Sequence, residues 1–253
     1  MSFLVALQFL TSVPVLLKRE FTPPQLGRAT AYFPVVGLII GGILAGLNWL
    51  LDYILPQPVV NVLLIAALVI ITGALHLDGF ADTCDGIAGH KTVEERWRVM
   101  RDSLTGAFGV VGVALLLLTK YVCLSNIPAE LMTAVLIFVP TVSRWAMVSA
   151  VFVYPYARPE GLGKVYKENT RWPQFAFATA VTFAAAGALF PLFSYTGLIL
   201  IFGVFIVTTA LAFYLKRKFA GLTGDTYGAI NETAEAAALL GAVIIFTVAP
   251  DLT

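Results

Sequence analysis

The sequence predicts an all-α integral membrane protein, a polytopic bundle of about seven transmembrane helices. The first observation is composition: 59% of the 253 residues are hydrophobic and only 12% are charged, whereas soluble domains are about half apolar and about a quarter charged. The second is a series of apolar runs near the roughly 20 residues that a helical span needs. The third is that these runs lack the strict alternation of a membrane β-barrel. Because no polar segment is long enough to bury its own core, residues 1–253 are predicted to form a single membrane-embedded domain.

Seven apolar runs are candidate spans, since a helix satisfies its own backbone hydrogen bonds in lipid. They are Ala31–Leu51, Val59–Leu77, Ala107–Leu124, Leu131–Val153, Phe175–Phe193, Gly197–Leu215 and Ala236–Val248. An eighth stretch, Phe3–Leu17, contains polar residues and a proline and is expected to be an interfacial, re-entrant or spanning helix. A cleaved signal peptide is not expected, because no basic residue precedes this stretch.

Basic residues predict the topology. If the spans alternate in direction, the polar segments 18–30, 78–106, 154–174 and 216–235 share one face of the membrane. These segments contain 14 of the 16 Lys and Arg residues, and the connectors on the opposite face contain none. Because basic loops stay in the cytoplasm, we expect the charged face to be cytoplasmic.

An acidic row follows the second predicted span. Asp78, Asp82 and Asp85 stand at positions i, i+4 and i+7, which fall on one face of a helix. Carboxylates in this position repel one another unless a cation lies between them, and Mg²⁺ prefers such oxygen ligands together with substrate phosphates. The alternative is a solvated helix end, because acids favour a helix N-terminus. We interpret the row as a metal site, since uncompensated charge at a membrane border is costly.

Further polar residues flank this row. His76, at the end of the predicted span, is either a general base, a substrate contact or an interfacial histidine with a satisfied hydrogen bond. Arg101 and Asp102 adjoin the return of the chain into the membrane, which makes them candidates for phosphate and metal contacts.

The other segments on the charged face carry candidate groups as well. The stretch ARPEGLGK combines a flexible backbone with Arg158 and Lys164, a combination that can bind a phosphate. A connecting loop without a ligand would account for the same stretch. In GLTGDTYGAINE, Asp225 and Glu232 again stand seven residues apart. Two isolated cations, Arg28 and Arg144, complete the set. Arg144 lies inside an apolar run, so we expect a carboxylate or a substrate phosphate as its partner.

Four motifs together resemble one family. GALHLDGFADTCDG, MRDSLTGAFG, ARPEGLGK and GLTGDTYGAINE occur in an order that closely resembles cobalamin synthase, also called adenosylcobinamide-GDP ribazoletransferase. The resemblance runs from about Gln8 to Glu235. It implies a Mg²⁺-dependent, multi-pass enzyme of the inner membrane in the last steps of vitamin B12 assembly. Such enzymes join adenosylcobinamide-GDP to α-ribazole, or its 5′-phosphate, and release GMP.

The residues and the resemblance together predict roles. A ribose hydroxyl would attack the pyrophosphate, a reaction that depends on positioning and charge neutralisation. The predicted metal ligands are Asp78, Asp82, Asp85, Asp225 and Glu232. The predicted catalytic residues are His76, Asp82 and Asp102. The predicted substrate-binding residues are Arg28, Arg101, Arg144, Arg158 and Lys164.

The predicted partners are the two substrates and the lipid bilayer, without nucleic acid. A homo-oligomer, or an association with other cobalamin-assembly enzymes, is left open by the sequence.

Two other functions compete. A CDP-alcohol phosphotransferase shares the DxxDG at Asp82–Gly86 but has an Ala-Arg pair after it and a later pair of aspartates, which this chain lacks. A transporter also uses charges inside the membrane, but here the acids cluster at one rim and no repeat is visible.

Overall fold

A computed structural model describes residues 1–14, 21–89 and 92–249. Within them the protein is all-α, as the sequence predicts, with one isolated parallel bridge between Tyr156 and Leu222. The helices are α1 Ser2–Leu10, α2 Pro23–Ala29, a 3₁₀ turn Thr30–Tyr32, α3 Phe33–Leu51, α4 Gln57–Ile71, α5 Leu75–Ile87, α6 Val93–Val99, α7 Ala107–Leu124, α8 Ala129–Val153, α9 Leu162–Asn169, α10 Trp172–Ala188, α11 Phe190–Phe193, α12 Thr196–Phe219 and α13 Gly224–Val248.

Five helical stretches of the described chain are long and apolar enough to cross a membrane. They are Pro23–Leu51, Ala107–Leu124, Ala129–Val153, Thr196–Phe219 and Gly224–Val248. The pair α4 and α5 makes a sixth if it is one broken span. These helices confirm the polytopic all-α fold. Of the seven predicted apolar runs, Phe175–Phe193 is not among these candidate spans, because it is divided between α10, which has 17 residues, and the short α11.

The predicted span Val59–Leu77 is not straight. α4 and α5 meet at an angle of 90°, and Gly73 and Ala74 between them have φ values of +59° and +57°. Ser12 caps the end of α4, since its backbone N–H donates to Ile71 O at 2.7 Å and its hydroxyl donates to Ile70 O at 2.8 Å. Carbonyls at a helix end need such partners. The bend therefore directs α5, which carries the acidic row, away from the axis of α4.

The N-terminal helix α1 has only nine residues, about half the length of a span. It packs on α2 and α3 and buries Val5, Ala6 and Leu10. Of the stretch Phe3–Leu17 considered above, residues 15–17 lie outside the described part of the chain.

α8 is the central helix, and almost every residue from Leu131 to Val151 is buried. A helix that is apolar all round belongs in the interior. It packs against α3 and α13. The approach of α3 is close: a Cβ at Gly41 would lie 2.6 Å from Ile137 Cα, which is how small residues bring membrane helices together.

α5 is held between α7 and α13. A Cβ at Gly79 would lie 2.8 Å from the carbonyl oxygen of Asp225, and one at Gly228 would lie 3.1 Å from His76 Cα. Only glycine allows two helices to approach this closely. The contact places the acidic row of α5 beside the acidic N-terminus of α13.

Candidate active site

A cavity of about 500 Å³ lies between α5, α9, α13 and the loop 154–161. Segments that are far apart in sequence contribute to it. Its lining is Phe9, Phe33, Leu75, His76, Asp78, Gly79, Arg101, Met147, Val151, Tyr156, Arg158, Glu160, Gly161, Leu162, Gly163, Tyr166, Gly224, Asp225, Tyr227 and Gly228. The structure thus brings three of the four charged segments to one place, and the volume suits a ligand of drug or nucleoside size.

One wall of this cavity, which we call the polar wall, consists of Asp78, Arg101, Arg158 and Asp225. All four were predicted from the sequence as ligands of metal or substrate. Arg158 Nη2 donates to Asp225 Oδ2 at 2.8 Å, and the Thr223 hydroxyl donates to the same oxygen at 3.4 Å. Asp225 is held in place by these donors at the first turn of α13, where the helix dipole favours an acid.

Asp82 is half-buried one turn beyond Asp78 and does not line the cavity itself. The charges of Asp225, Asp78 and Asp85 act on it, and Arg158 only partly offsets them. This concentration of carboxylate oxygens is chemically suited to a hard cation. Among the described residues, no three His, Cys, Asp or Glu side chains converge closely enough to hold a metal by themselves. Mg²⁺ usually needs only one or two carboxylates in addition to substrate phosphates, so the residues fit that ion when substrate is present.

Asp85 lies on α5 but makes contacts that the sequence did not predict. Its Oδ2 accepts a hydrogen bond from Gly106 N at 2.7 Å, and its Oδ1 accepts one from Gly109 N at 2.8 Å. The side chain is buried and satisfies orphan N–H groups at the start of α7. Each oxygen therefore accepts one hydrogen bond that caps and positions α7, and a metal role for Asp85 stays a prediction.

Glu232 and Arg144 lie in a buried ion network. Lys120 Nζ contacts Glu232 Oε2 at 2.6 Å and Glu235 Oε2 at 2.5 Å. Arg144 Nη1 donates to the other oxygen of Glu235. Two cations and two carboxylates balance one another inside the bundle, as buried charges require. The structure thus does not bring Glu232 to the acidic row or Arg144 to the cavity lining.

Two members of that network, Lys120 and Glu235, are not among the predicted site residues. A signal was present in the sequence. Lys120 and Arg144 both lie inside apolar runs, so each needs an anionic partner. Glu232 and Glu235 stand at i and i+3, which places them on one helix face.

His76 lines the cavity and is only 3% exposed. Neither ring nitrogen has a hydrogen-bond partner within the described residues. No described residue supplies the hydrogen bond that the interfacial interpretation of His76 requires, and a role toward a ligand stays a prediction.

Three further predicted residues lie away from the cavity lining. Arg28 lines a separate surface pocket with Tyr32 and Gln174. Asp102 is exposed and accepts a hydrogen bond from Leu104 N at 3.1 Å. Lys164 donates to Pro159 O at 2.7 Å.

Five aromatic side chains also line the cavity and were not predicted. Phe9, Phe33 and Tyr166 pack on one another, and Tyr156 packs on Tyr227; we call these five residues the aromatic wall. Burial raises the pKa of the Tyr156 hydroxyl above its usual value. Only the tyrosines beside the ARPEGLGK and GLTGDTYG motifs hint at this wall in the sequence, because α1 and α3 reach it through tertiary packing.

Comparison with known proteins gives one consistent result. Residues 2–243 match the family model described as cobalamin-5-phosphate synthase. An adenosylcobinamide-GDP ribazoletransferase of Geotalea daltonii is 38% identical over 243 residues, covering 96% of this chain and 97% of the relative. Proteins of the same name from Roseiflexus sp. and Syntrophobacter fumaroxidans are 37% and 36% identical, covering 92% and 96% of this chain and 86% and 98% of theirs. No solved structure matches the chain.

Proposed function

The chain belongs to the cobalamin-5-phosphate synthase family, and on that premise we propose that it is an adenosylcobinamide-GDP ribazoletransferase. It transfers the cobinamide-phosphate group of adenosylcobinamide-GDP to α-ribazole, or to its 5′-phosphate, and releases GMP. The product is adenosylcobalamin or its 5′-phosphate. Membership of this family favours the reaction over a CDP-alcohol phosphotransferase and over a transporter.

The observation that carries the proposal is the polar wall. Two carboxylates, Asp78 and Asp225, and two guanidinium groups, Arg101 and Arg158, face one cavity although they come from three separate segments. Transfer of a phosphorus group needs positioning and charge stabilisation more than covalent chemistry by the protein. Guanidinium groups bind phosphate oxygens through paired N–H donors, so Arg101 and Arg158 are suited to hold the pyrophosphate.

Magnesium is part of the proposal. Asp78, Asp82 and Asp225 are the residues that would hold it, because their carboxylates crowd one another beside the cavity. When bound, a Mg²⁺ ion supplies charge neutralisation to pyrophosphate oxygens. The protein itself would orient the pyrophosphate through Arg101 and Arg158, and would accept the proton of the attacking hydroxyl at His76 or at a carboxylate of the polar wall.

The membrane orientation is also proposed. The charged segments hold 14 of the 16 Lys and Arg residues, and basic loops remain on the cytoplasmic side. The cavity is built from three of these segments. We therefore place the active site on the cytoplasmic face of the inner membrane, where it would meet nucleotide substrates and release GMP.

The direct test uses purified protein in lipid nanodiscs, supplied with adenosylcobinamide-GDP and α-ribazole. GMP and the cobalamin product are separated by chromatography. With Mg²⁺ present they are expected to form in equal amounts, and their formation should stop after addition of EDTA. Asp82→Asn is expected to lower turnover roughly 100-fold. Asp52→Asn is the matched control, because Asp52 is exposed at the C-terminal end of α3.

Two outcomes would contradict the proposal. If the wild-type protein releases no GMP, the reaction is wrong. If folded Asp82→Asn keeps near-normal turnover with unchanged dependence on Mg²⁺, the metal assignment is wrong while the reaction stands.

A further inference from the structure

We propose that the aromatic wall is the subsite for the acceptor nucleoside, with Tyr166, Tyr227 and the neighbouring His76 as hydrogen-bonding groups for its base and ribose. This inference rests on the proposed function and deepens it. It divides the cavity into two parts: the polar wall takes the pyrophosphate of the donor, and the aromatic wall takes the flat base of α-ribazole.

The first argument is the shape and chemistry of the wall. Phe9 and Phe33 lie stacked with ring centroids 5.8 Å apart and planes at 22°. Tyr166 packs against both, at 4.8 Å from Phe9 and 5.8 Å from Phe33. Met147 and Val151 of α8 extend the same apolar lining. Such a surface favours a flat, apolar ring, since aromatic groups gain both from burial and from edge or stacked contacts.

The second argument is a set of buried polar groups that lack partners. Tyr166 is 3% exposed, Tyr227 5% and His76 3%. Their hydroxyls and ring nitrogens make no hydrogen bond within the described part of the chain. Buried polar groups are normally paired, and each exception calls for an explanation. Three such groups line one cavity, and a nucleoside explains them together, because its base nitrogen can pair with one of them and its ribose hydroxyls with the others.

The third argument is the match to one substrate rather than the other. The base of α-ribazole is a dimethylbenzimidazole, a fused ring with apolar methyl groups and a single unsubstituted nitrogen, which accepts one hydrogen bond. A tyrosine hydroxyl supplies that bond. Guanine carries more donors and acceptors on its edge than the two hydroxyls and one imidazole of this part of the cavity can pair, so several of them would stay unpaired. A corrin macrocycle with its side chains is too large for a cavity of about 500 Å³.

The arrangement has a consequence for the reaction. A base on the aromatic wall would direct the ribose of the acceptor toward Asp78 and Asp225, where the pyrophosphate is proposed to lie. The corrinoid would remain outside the cavity.

The test separates the two substrates. Tyr166→Phe removes the unpaired hydroxyl and keeps the ring. We expect it to raise the Kd of α-ribazole, measured by calorimetry without donor or Mg²⁺, about five- to tenfold, and to raise the KM of α-ribazole similarly while leaving the KM of adenosylcobinamide-GDP unchanged. The melting temperature without ligand should stay the same or rise, because a buried unpaired hydroxyl is lost. A merely structural role for Tyr166 would not produce this combination.

Two further variants support the comparison. Phe9→Leu removes an aromatic face. It is expected to weaken the binding of α-ribazole while leaving the KM of adenosylcobinamide-GDP unchanged. Tyr195→Phe is the matched control, because Tyr195 is 55% exposed and lies outside the cavity; both substrates should bind it as they bind the wild type. If Tyr166→Phe does not fold, Tyr227→Phe is measured with the same expected selectivity.

Three other outcomes would decide between the subsite proposal, the alternative occupant and the proposed function. An increase in the KM of adenosylcobinamide-GDP alone would overturn the proposal and assign the wall to guanine. Unchanged binding of α-ribazole to both Tyr166→Phe and Phe9→Leu would also overturn it. Wild-type protein that binds α-ribazole selectively through these residues but releases no GMP would leave the subsite standing and reject the proposed function.

Discussion

Arg158 Nη2 lies 2.8 Å from Asp225 Oδ2, and this ion pair joins the loop 154–161 to the first turn of α13. Both side chains are partly buried, at 11% and 24% exposure, and both line the cavity. The pair therefore connects a cation that suits pyrophosphate to a carboxylate that suits metal. It links two motifs that are separated by more than sixty residues in the sequence.

The first prediction concerns this pair. Arg158→Gln should lower kcat/KM for adenosylcobinamide-GDP roughly 100-fold, because a preorganised donor to the reacting phosphates is lost. Thermal stability should change little, since the pair is not fully buried. Arg98→Gln, an exposed arginine of α6, is the control and should retain activity. A large loss of stability with intact kcat/KM would show that the pair is structural only.

The second prediction concerns the contact between α5 and α13. Gly79→Ala would place a Cβ 2.8 Å from Asp225 O and 2.9 Å from Asp225 Cα. Because both atoms belong to the backbone, the helices must separate, at a cost of about 1–3 kcal/mol in the free energy of unfolding. Activity should fall as well, since Asp78 and Asp225 move apart.

The control for that variant is Gly42→Ala in α3, where a Cβ would meet nothing within 4 Å. Alanine is favoured over glycine in a helix by about 0.5–1 kcal/mol, so stability should be unchanged or higher. Thermal unfolding and turnover of both variants check the prediction. Equal stability of Gly79→Ala and the wild type would show that α5 and α13 do not need this close approach.

The third prediction separates capping from metal binding at Asp85. Asp85→Asn keeps one acceptor oxygen but directs an N–H₂ group toward a backbone N–H of Gly106 or Gly109. We expect a loss of about 1–2 kcal/mol in stability, as for the loss of a helix cap, with the Mg²⁺ concentration for half-maximal activity unchanged. Asp82→Asn should show the opposite pattern. If Asp85→Asn shifts the Mg²⁺ requirement as strongly as Asp82→Asn, then Asp85 is a ligand, as the row of aspartates predicts.

The fourth prediction concerns the buried ion network. Glu235→Gln leaves Lys120 and Arg144 with one carboxylate between them, that of Glu232. Breaking a buried pair by removing one partner costs about 3–5 kcal/mol, so the variant should unfold at a much lower temperature. Glu168→Gln is the control, because Glu168 is 60% exposed and pairs with Lys164 only at 3.8 Å; such pairs contribute about 0–1 kcal/mol. Similar melting temperatures for the two variants would contradict the importance of the network.

The polar half of the site could be predicted because its signals are local. Asp78, Arg101, Arg158 and Asp225 lie in charged segments between apolar runs, and the distribution of basic residues places these segments on one face. Because the membrane restricts where such segments can go, their location on one face follows from hydropathy and charge, whereas their meeting in one cavity depends on helix packing.

The contacts of other residues could be assigned only from the tertiary structure. Asp85 has the same spacing as its neighbours in the row, but its carboxylate caps α7, since the packing of α5 on α7 brings Gly106 and Gly109 to it. Glu232 shares a helix with Asp225, yet its partner is Lys120 of α7. Which carboxylate meets a cation inside the bundle depends on which helices are neighbours.

The sequence by itself determined the all-α membrane fold, the charged face and the carboxylates and arginines available for chemistry, because hydropathy and side-chain charge are properties of short segments. Only the tertiary structure decided the bend after α4, the separation of the metal candidates into cavity, cap and ion network, and the aromatic wall formed by Phe9, Phe33 and Tyr166. These features depend on contacts between segments that are distant along the chain, and the energies that select them come from packing and from the pairing of buried polar groups.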